Sequence, residues 1–216
     1  MGGQVLGYGD DVVFTYENDM NAASSMHKPC KVIRMNPSTG AVVWEYQTQK
    51  ARHFWQYDLL PYGSQILVNG CAGAELIDSV DPGASMPTWA SDDELHQNFC
   101  AALIVGDTLF EDGDNSPTAV SAYSMNDGRQ LWCLPNTTSA GQTPQYHDGV
   151  LYVSEQEGVL AIDAAKGRWI GRDDDFPGYI DQVCNTLAYG DLFIFFSNQT
   201  NPDGRVEALY MDEVPK

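Results

Sequence analysis

The sequence predicts an all-β fold built from about five similar units, each with four antiparallel strands. Short runs rich in Val, Ile, Leu, Phe and Tyr alternate with turns that contain Gly, Asn or Asp. No segment shows a persuasive helical period. Two kinds of turn recur at intervals of about 40 to 45 residues, which is typical of the four-stranded blades of a β-propeller.

The first recurrent turn contains a glycine and follows an apolar run. The glycines are Gly9, Gly63, Gly106, Gly149 and Gly190, and successive steps between them are 54, 43, 43 and 41 residues. Glycine readily adopts the positive φ that tight hairpins need. We therefore place this turn between the first and second strands of each unit, strands a and b.

The second recurrent turn begins with Asn or Asp and is followed by a tryptophan in four units. These turns and tryptophans are residues 36–40 with Trp44, 81–83 with Trp89, 126–128 with Trp132, and 163–167 with Trp169. A fifth turn starts at Asp212. We place this turn between strands c and d. Each tryptophan then lies on or near the outer strand d, where its ring is predicted to cover the seam between neighbouring blades.

Ten strands are predicted from the apolar runs between these turns. They are residues 11–16, 31–35, 42–46, 65–68, 101–105, 118–123, 150–153, 159–162, 192–196 and 206–210. The units span residues 5–49, 57–92, 98–135, 142–171 and 180–216, and the last unit lacks a strand d. We expect a single propeller domain or an excerpt of a larger propeller whose remaining blades are its partner. A five-bladed ring with one three-stranded blade is the alternative.

The fourth unit resembles the pyrroloquinoline-quinone-type repeat of quinoprotein-like propellers. Residues 148–153, 158–162 and 163–169 are similar to its pattern, D-G-x-V-Y-V…G-x-L-x-A-L-D-x-x-T-G-x-x-x-W, and residues 36–44 are similar to the last third. The resemblance covers nearly the whole chain. It implies a propeller fold, which occurs in quinoprotein dehydrogenases, in the outer-membrane assembly scaffold lipoprotein and in many uncharacterised extracytoplasmic proteins.

The charge balance excludes several classes of partner. The chain has 11 Lys and Arg against 30 Asp and Glu, a formal net charge of −19. Nucleic acids and anionic lipids both require clustered basic residues, so we expect neither as a partner. The longest apolar runs, such as residues 192–196, are far shorter than the roughly 20 residues of a membrane-spanning helix. We therefore expect no membrane insertion of this segment.

The sequence contains no convincing catalytic motif. The dehydrogenases of the resembled family carry an adjacent cysteine pair, whereas the five cysteines here are all separate. Serine-hydrolase, zinc-peptidase, phosphate-loop and redox-cysteine patterns are also missing. The leading hypothesis is therefore a non-catalytic binding or assembly scaffold, placed outside the cytoplasm by the resemblance. A fragment of a quinoprotein dehydrogenase, a propeller hydrolase and a purely structural module are the alternatives.

Candidate contact residues fall on one face of the predicted blades. Antiparallel order places the d-to-a and b-to-c loops on the same face, which we call the longer-loop face. Residues 47–57 combine cations with aromatics, and residues 171–181 add carboxylates. A protein or small polar ligand is predicted to contact Arg52, His53, Phe54, Trp55, Tyr57, Asp173, Asp174, Asp175 and Tyr179. The competing interpretation buries Phe54 and Trp55 between blades.

Two weaker hypotheses concern metal ions. His27 and His96 lie among carboxylates in the longer loops, but they lack the spacing of a transition-metal site. Asp112 and Asp114 resemble the start of a calcium loop without its terminal Glu. We therefore expect no bound cofactor, with Ca²⁺ as the alternative and pyrroloquinoline quinone disfavoured.

The cysteines allow a disulfide on the longer-loop face. They are Cys30, Cys71, Cys100, Cys133 and Cys184. Cys71 should end a strand b and Cys100 should begin the next strand a, so a Cys71–Cys100 bond fits the predicted geometry. A Cys30–Cys71 bond and buried reduced thiols are the alternatives. A disulfide would indicate an oxidising compartment.

Thiol counting tests this prediction. If either disulfide forms, three of the five thiols remain reactive. We expect three labelled thiols when the exported chain is isolated without reductant, alkylated under denaturing conditions and weighed by mass spectrometry. Five labelled thiols would exclude the disulfide and weaken the extracytoplasmic placement.

Overall fold

Regular secondary structure in the described part of the chain is entirely β. A computed structural model describes residues 5–16, 28–53, 57–70, 73–83, 86–91, 101–113, 119–135, 137, 143–155, 158–173, 186–190, 192–197 and 205–210. These residues form strands, turns and bends without a helix. None of the described segments is therefore a long apolar helix of the kind that crosses a membrane.

The described strands form five antiparallel sheets, each ordered as its strands occur along the chain. The first two sheets are β1 (Val5–Tyr8), β2 (Asp11–Tyr16), β3 (Lys28–Met35) and β4 (Val42–His53), then β5 (Tyr57–Tyr62), β6 (Gln65–Gly70), β7 (Gly73–Asp78) and β8 (Trp89–Ser91). The third and fourth are β9 (Ala101–Val105), β10 (Thr108–Gly113), β11 (Ala119–Ser124) and β12 (Gln130–Pro135), then β13 (Gln145–His147), β14 (Val150–Glu155), β15 (Gly158–Asp163) and β16 (Arg168–Asp173). The fifth has β17 (Thr186–Tyr189), β18 (Leu192–Ser197) and β19 (Arg205–Tyr210).

These sheets confirm the predicted unit of four sequential strands, with a three-stranded fifth sheet among the described residues. Several predicted bounds differ by one to three residues, and the predicted end of the fourth strand is wrong by seven. Residues 47–53 were predicted as a loop, but they extend β4, and the chain pairs Lys28 with His53 and Pro29 with Arg52. The prediction failed because this stretch is polar, and its pairing partner lies more than twenty residues away in sequence.

The chain forms two compact units. The first comprises Met1–Cys100 with Asn126–Gly128, and the second comprises Ala101–Met125 with Arg129–Lys216. In the first unit, the two sheets share a core of Val13, Cys30, Val32, Trp44, Tyr46, Leu59, Ile66, Val68 and Ile77. In the second unit, the third and fourth sheets share Phe110, Val120, Ala122, Leu151, Val153, Leu160, Ile162 and Ala164. Each fully buried aliphatic side chain stabilises such a core by about 1.5–3 kcal/mol.

Tryptophans join successive sheets at the turn between strands c and d, the c–d turn. Trp44 Nε1 donates a hydrogen bond to the Ser79 carbonyl at 3.0 Å, and Trp132 Nε1 donates to the Ala164 carbonyl at 2.9 Å. Ser79 and Ala164 lie in the c–d turns of the next sheets. The prediction that these strand-d tryptophans cover a seam is confirmed for both.

Glycine in the c–d turn lets the tryptophan ring approach. A Cβ added at Gly128 would lie 2.7 Å from Trp89 Cε3, and both residues belong to the first unit. A Cβ added at Gly167 would overlap the Trp132 ring. Because heavy atoms do not approach so closely, these positions accept only glycine while the ring stays in place.

Ser79 connects the first two sheets at the turn end of their seam. Its carbonyl accepts hydrogen bonds from Trp44 and from Arg34 Nη1, the latter at 2.9 Å. The Ser79 hydroxyl forms a hydrogen bond with the Tyr8 hydroxyl at 2.5 Å. Arg34 forms an ion pair with Asp11, with 2.8 Å between Arg34 Nη2 and Asp11 Oδ2. Its guanidinium carbon lies over the Tyr8 ring, 5.0 Å from the ring centre. A planar guanidinium can donate and stack at the same time, which explains why it suits this position.

Side-chain oxygens of Asn or Asp shape the c–d turns. Asn36 Oδ1 accepts from the amides of Ser38 and Thr39 at 3.1 and 3.0 Å. In the second sheet the corresponding residue is Asp78, three residues before the predicted Asp81, and its Oδ1 accepts from the amides of Val80 and Asp81. These bonds from the Asp81 and Val80 amides lower the pKa of Asp78.

Two alanine substitutions separate ring contact from backbone strain. Gly40 and Gly167 have φ of 72° and 60°, so alanine at either site should cost about 1–2 kcal/mol. Only Gly167 lies under a tryptophan, because a Cβ at Gly40 would meet nothing within 4 Å. We expect Gly167→Ala to lower the free energy of unfolding by about 1–3 kcal/mol more than Gly40→Ala, measured by urea denaturation. Equal losses would contradict this account of the ring contact.

Candidate functional site

The predicted contact residues of the first unit lie around the end of β4. Arg52 and His53 are the last residues of β4, and Tyr57 is the first residue of β5. Phe54 and Trp55 lie outside the described residues. The binding role of all five stays a prediction.

The predicted contact residues of the second unit follow β16. Asp173 ends that strand, while Asp174, Asp175 and Tyr179 lie outside the described residues. Arg172 of the same strand forms an ion pair with Glu155, with 3.1 Å between Arg172 Nε and Glu155 Oε2. Because Glu155 is only 4% exposed, this pair holds the strand immediately before Asp173.

The metal and disulfide candidates are only partly described. Asp112 is fully buried in β10, where it is paired across the sheet with Ala101 and Val120. His27, His96, Asp114, Cys71 and Cys100 lie outside the described residues. Among the residues that the structure does describe, no group of three or more His, Cys, Asp or Glu side chains could hold a metal ion.

The extended part of β4 begins at a buried carboxylate of the second sheet. Glu75 in β7 is 0% exposed. The Tyr46 hydroxyl donates to its Oε2 at 2.7 Å, and the backbone amide of Gln49 donates to its Oε1 at 2.5 Å. Both carboxylate oxygens therefore bind β4, and Glu75 acts as an anchor without contact to solvent.

The Tyr46–Glu75 contact also determines the acidity of the phenol. The pKa of Tyr46 is raised far above its ordinary 10.0, first by burial, then by the hydrogen bond to Glu75 and by the negative charge of that carboxylate. Tyr46 therefore stays protonated and remains a hydrogen-bond donor throughout the neutral range.

A second set of contacts ties β4 to β3 at the same level. The amide of Cys30 donates to Thr48 Oγ1 at 2.8 Å, and Gln47 Nε2 donates to the Cys30 carbonyl at 2.8 Å. Residues 28–30 of β3 and 47–53 of β4 thus form a two-stranded extension of the first sheet, which we call the β3–β4 ribbon. Its base is fixed by Thr48 on one side and by Glu75 on the other.

Glu75 was not among the residues predicted from the sequence to belong to this arrangement. A signal was present, because Glu75 interrupts an apolar run between Ala74 and Leu76. A charged residue at such a position is buried only with partners. Its partners Tyr46 and Gln49 are 29 and 26 residues away, so the pattern alone does not name them.

Comparisons with known proteins identify the fold. No family model and no curated protein matches the chain. Among solved structures it is similar to BamB from Moraxella catarrhalis, with a TM-score of 0.63 and 15% identity over 97% of this chain and 61% of that one. It is also similar to the quinohemoprotein alcohol dehydrogenase ADHIIG from Pseudomonas putida HK5, with a TM-score of 0.66 and 11% identity over 97% of this chain and 40% of that one.

A designed protein shares the same architecture. The computationally designed Ika4 protein matches 70% of this chain, with 88% of its own length covered, a TM-score of 0.54 and 11% identity. The chain spans about three fifths of BamB and two fifths of the dehydrogenase. At these identities the similarities show the fold alone, which is all-β with blades of the propeller type. Four described blades have four strands and the fifth has three.

Alkaline unfolding tests the Tyr46–Glu75 contact. Because the folded-state pKa of Tyr46 is raised, its contribution is fully present below about pH 10 and is lost as the pH rises above that value. Tyr46→Phe should lower the free energy of unfolding by about 1–3 kcal/mol at neutral pH, because it removes one of the hydrogen bonds to the buried Glu75 carboxylate. It should also make the alkaline decline shallower.

The matched control for this experiment is Tyr146→Phe, at a tyrosine that is 38% exposed. Urea unfolding of both variants and the parent should be compared between about pH 8 and pH 11. Tyr146→Phe should keep the parent's alkaline decline. The same decline in the Tyr46→Phe protein would contradict the raised pKa.

Proposed function

We propose that this chain is a non-catalytic binding module of the quinoprotein-like repeat family, with the longer-loop face as its contact surface. The observation that carries the proposal is the β3–β4 ribbon. It extends the first sheet by residues 47–53 of β4 and leads into the residues that the sequence marks as binding anchors. Because Glu75 and Thr48 hold its base, the ribbon loses little conformational freedom when it binds a ligand.

The ligand that best suits this ribbon is a peptide or small polar molecule with a carboxylate. Lys50, Arg52 and His53 lie within four residues of one another in a chain that has only 11 Lys and Arg. Such a local excess of cations in an acidic protein attracts an anionic group and repels basic competitors. Phe54, Trp55 and Tyr57 follow in the sequence and would supply apolar contact area.

The family and compartment belong to the same proposal. The repeat pattern at residues 148–169 supports membership in the quinoprotein-like family, and the fold-level similarity to BamB and to the alcohol dehydrogenase agrees with it. An extracytoplasmic location follows from that membership. The missing adjacent cysteine pair favours a binding protein over a dehydrogenase.

Peptide selection followed by substitution tests the contact surface. Peptides enriched from a random display library on the immobilised chain should be rich in Asp or Glu. The double variant Arg52→Ala/His53→Ala should weaken their binding about tenfold or more, measured by fluorescence anisotropy, with an unchanged melting temperature. The matched control is Arg168→Ala, at an arginine side chain that is 68% exposed on β16, and it should bind like the parent.

Two outcomes would contradict the proposal. If the double variant binds the selected peptides as tightly as the parent, the β3–β4 ribbon is not the contact surface. If the parent oxidises an alcohol with an artificial electron acceptor after pyrroloquinoline quinone and Ca²⁺ are added, the chain carries dehydrogenase activity and is not a simple binding module.

A further inference from the structure

The first sheet is covered on one face and exposed on the other. Val13, Val32 and Trp44 lie on the face that packs on the second sheet, and each is at most 9% exposed. The strand pairing places six apolar side chains on the opposite face, which we call the open face: Val5, Val12, Phe14, Tyr16, Ile33 and Val42. All six are exposed or half-buried.

The same face of the second sheet shows what the open face is suited to. Val5 and Phe14 occupy the register positions that Leu59 and Val68 occupy in the second sheet. Leu59 and Val68 are 1% and 0% exposed, because the first sheet covers them, whereas Val5 is 64% exposed. The open face thus has the apolar pattern of a surface that another sheet covers, although it is in contact with solvent.

The open face carries no net charge. Among its described side chains the charged ones are Lys31 and Glu45, and Lys31 Nζ lies 2.9 Å from Glu45 Oε2. The whole chain, in contrast, has a net charge of −19. Two copies of such a chain repel each other over most of their surface, so they can approach closely only where the surface is neutral.

We infer that the open faces of two copies of this chain pack against each other in a two-fold dimer. A second copy suits this surface because its own open face is equally apolar and equally neutral. Two twisted sheets pack about 10 Å apart with interdigitated side chains. Both copies use the same face, so the contact closes and no third copy can join. The dimer does not rest on ligand binding at the β3–β4 ribbon.

The size of the open face sets the expected affinity. Four strands of about six residues, spaced by about 4.8 Å and rising about 3.3 Å per residue, cover about 19 by 20 Å. A contact of this area lies at the lower end of specific protein interfaces, so we expect a dissociation constant of about 10–100 μM. Apolar burial drives this association and the net charges oppose it. Added salt should therefore tighten the dimer by screening the repulsion.

Oppositely charged substitutions at the centre of the open face test the inference. In sedimentation equilibrium up to about 1 mM, the mass of the parent should rise from 23.8 kDa to twice that value and stop. Phe14→Glu and Phe14→Lys should each stay monomeric, because each brings like charges together in the dimer. Their equimolar mixture should dimerise at least about tenfold more tightly than either variant alone, since the charges then attract.

Two further variants serve as checks on folding and on location. Val5→Glu places a charge on the open face at a side chain that is 64% exposed, and it should weaken the dimer at least about tenfold. Leu131→Glu places the same charge on β12 of the second unit, at a side chain that is 43% exposed, and it should dimerise like the parent. Circular dichroism establishes that each variant is folded.

Several outcomes would overturn the inference. A parent that remains at 23.8 kDa up to about 1 mM does not form this dimer. A mass above twice that value, or a Val5→Glu dimer as tight as that of the parent, would assign the association to another surface such as the β19 edge. A mixture of the two Phe14 variants that associates no better than either alone would show that the open faces do not meet.

Discussion

The contact between a strand-d tryptophan and the next c–d turn is the interaction on which the packing of these blades depends. An indole supplies a large apolar surface and one directed donor, so Trp44 and Trp132 each cover a seam and fix its register at a single carbonyl. Where the ring lies on the turn itself, as Trp89 does on Gly128 and Trp132 does on Gly167, the turn must present a glycine because the ring occupies the space of a Cβ.

The other end of the first seam is held by polar chemistry. Glu75 is buried with both oxygens hydrogen-bonded to β4, through Tyr46 and the amide of Gln49. A buried carboxylate is costly unless its partners are in place, so this contact strongly constrains where β4 runs after the apolar core ends. The position of the β3–β4 ribbon, and of the predicted binding residues that follow it, depends on that constraint.

Sequence reasoning succeeded where structure is local and repeated. The apolar runs located β2 and β9 at their observed bounds, and the turn residues predicted the order of strands in each blade. It failed for residues 47–53, whose polar side chains match no strand pattern. Gln47, Arg52 and His53 pair with Lys31, Pro29 and Lys28, because contacts with a distant strand override the local preference of these residues.

The sequence by itself determined the fold class and the length of the repeat, because both are encoded by nearby residues and simple spacing. It also marked four tryptophans as blade contacts, of which Trp44 and Trp132 donate hydrogen bonds to the next c–d turn. Only the tertiary structure decided which tryptophans are covered and which groups of β4 donate hydrogen bonds to the buried Glu75 carboxylate. Trp132 lies on Gly167 of the next turn, whereas in the fourth sheet the strand pairing places Gly171, and not Trp169, at the corresponding position. Glu75 and Tyr46 meet across 29 residues, a distance that no local pattern spans.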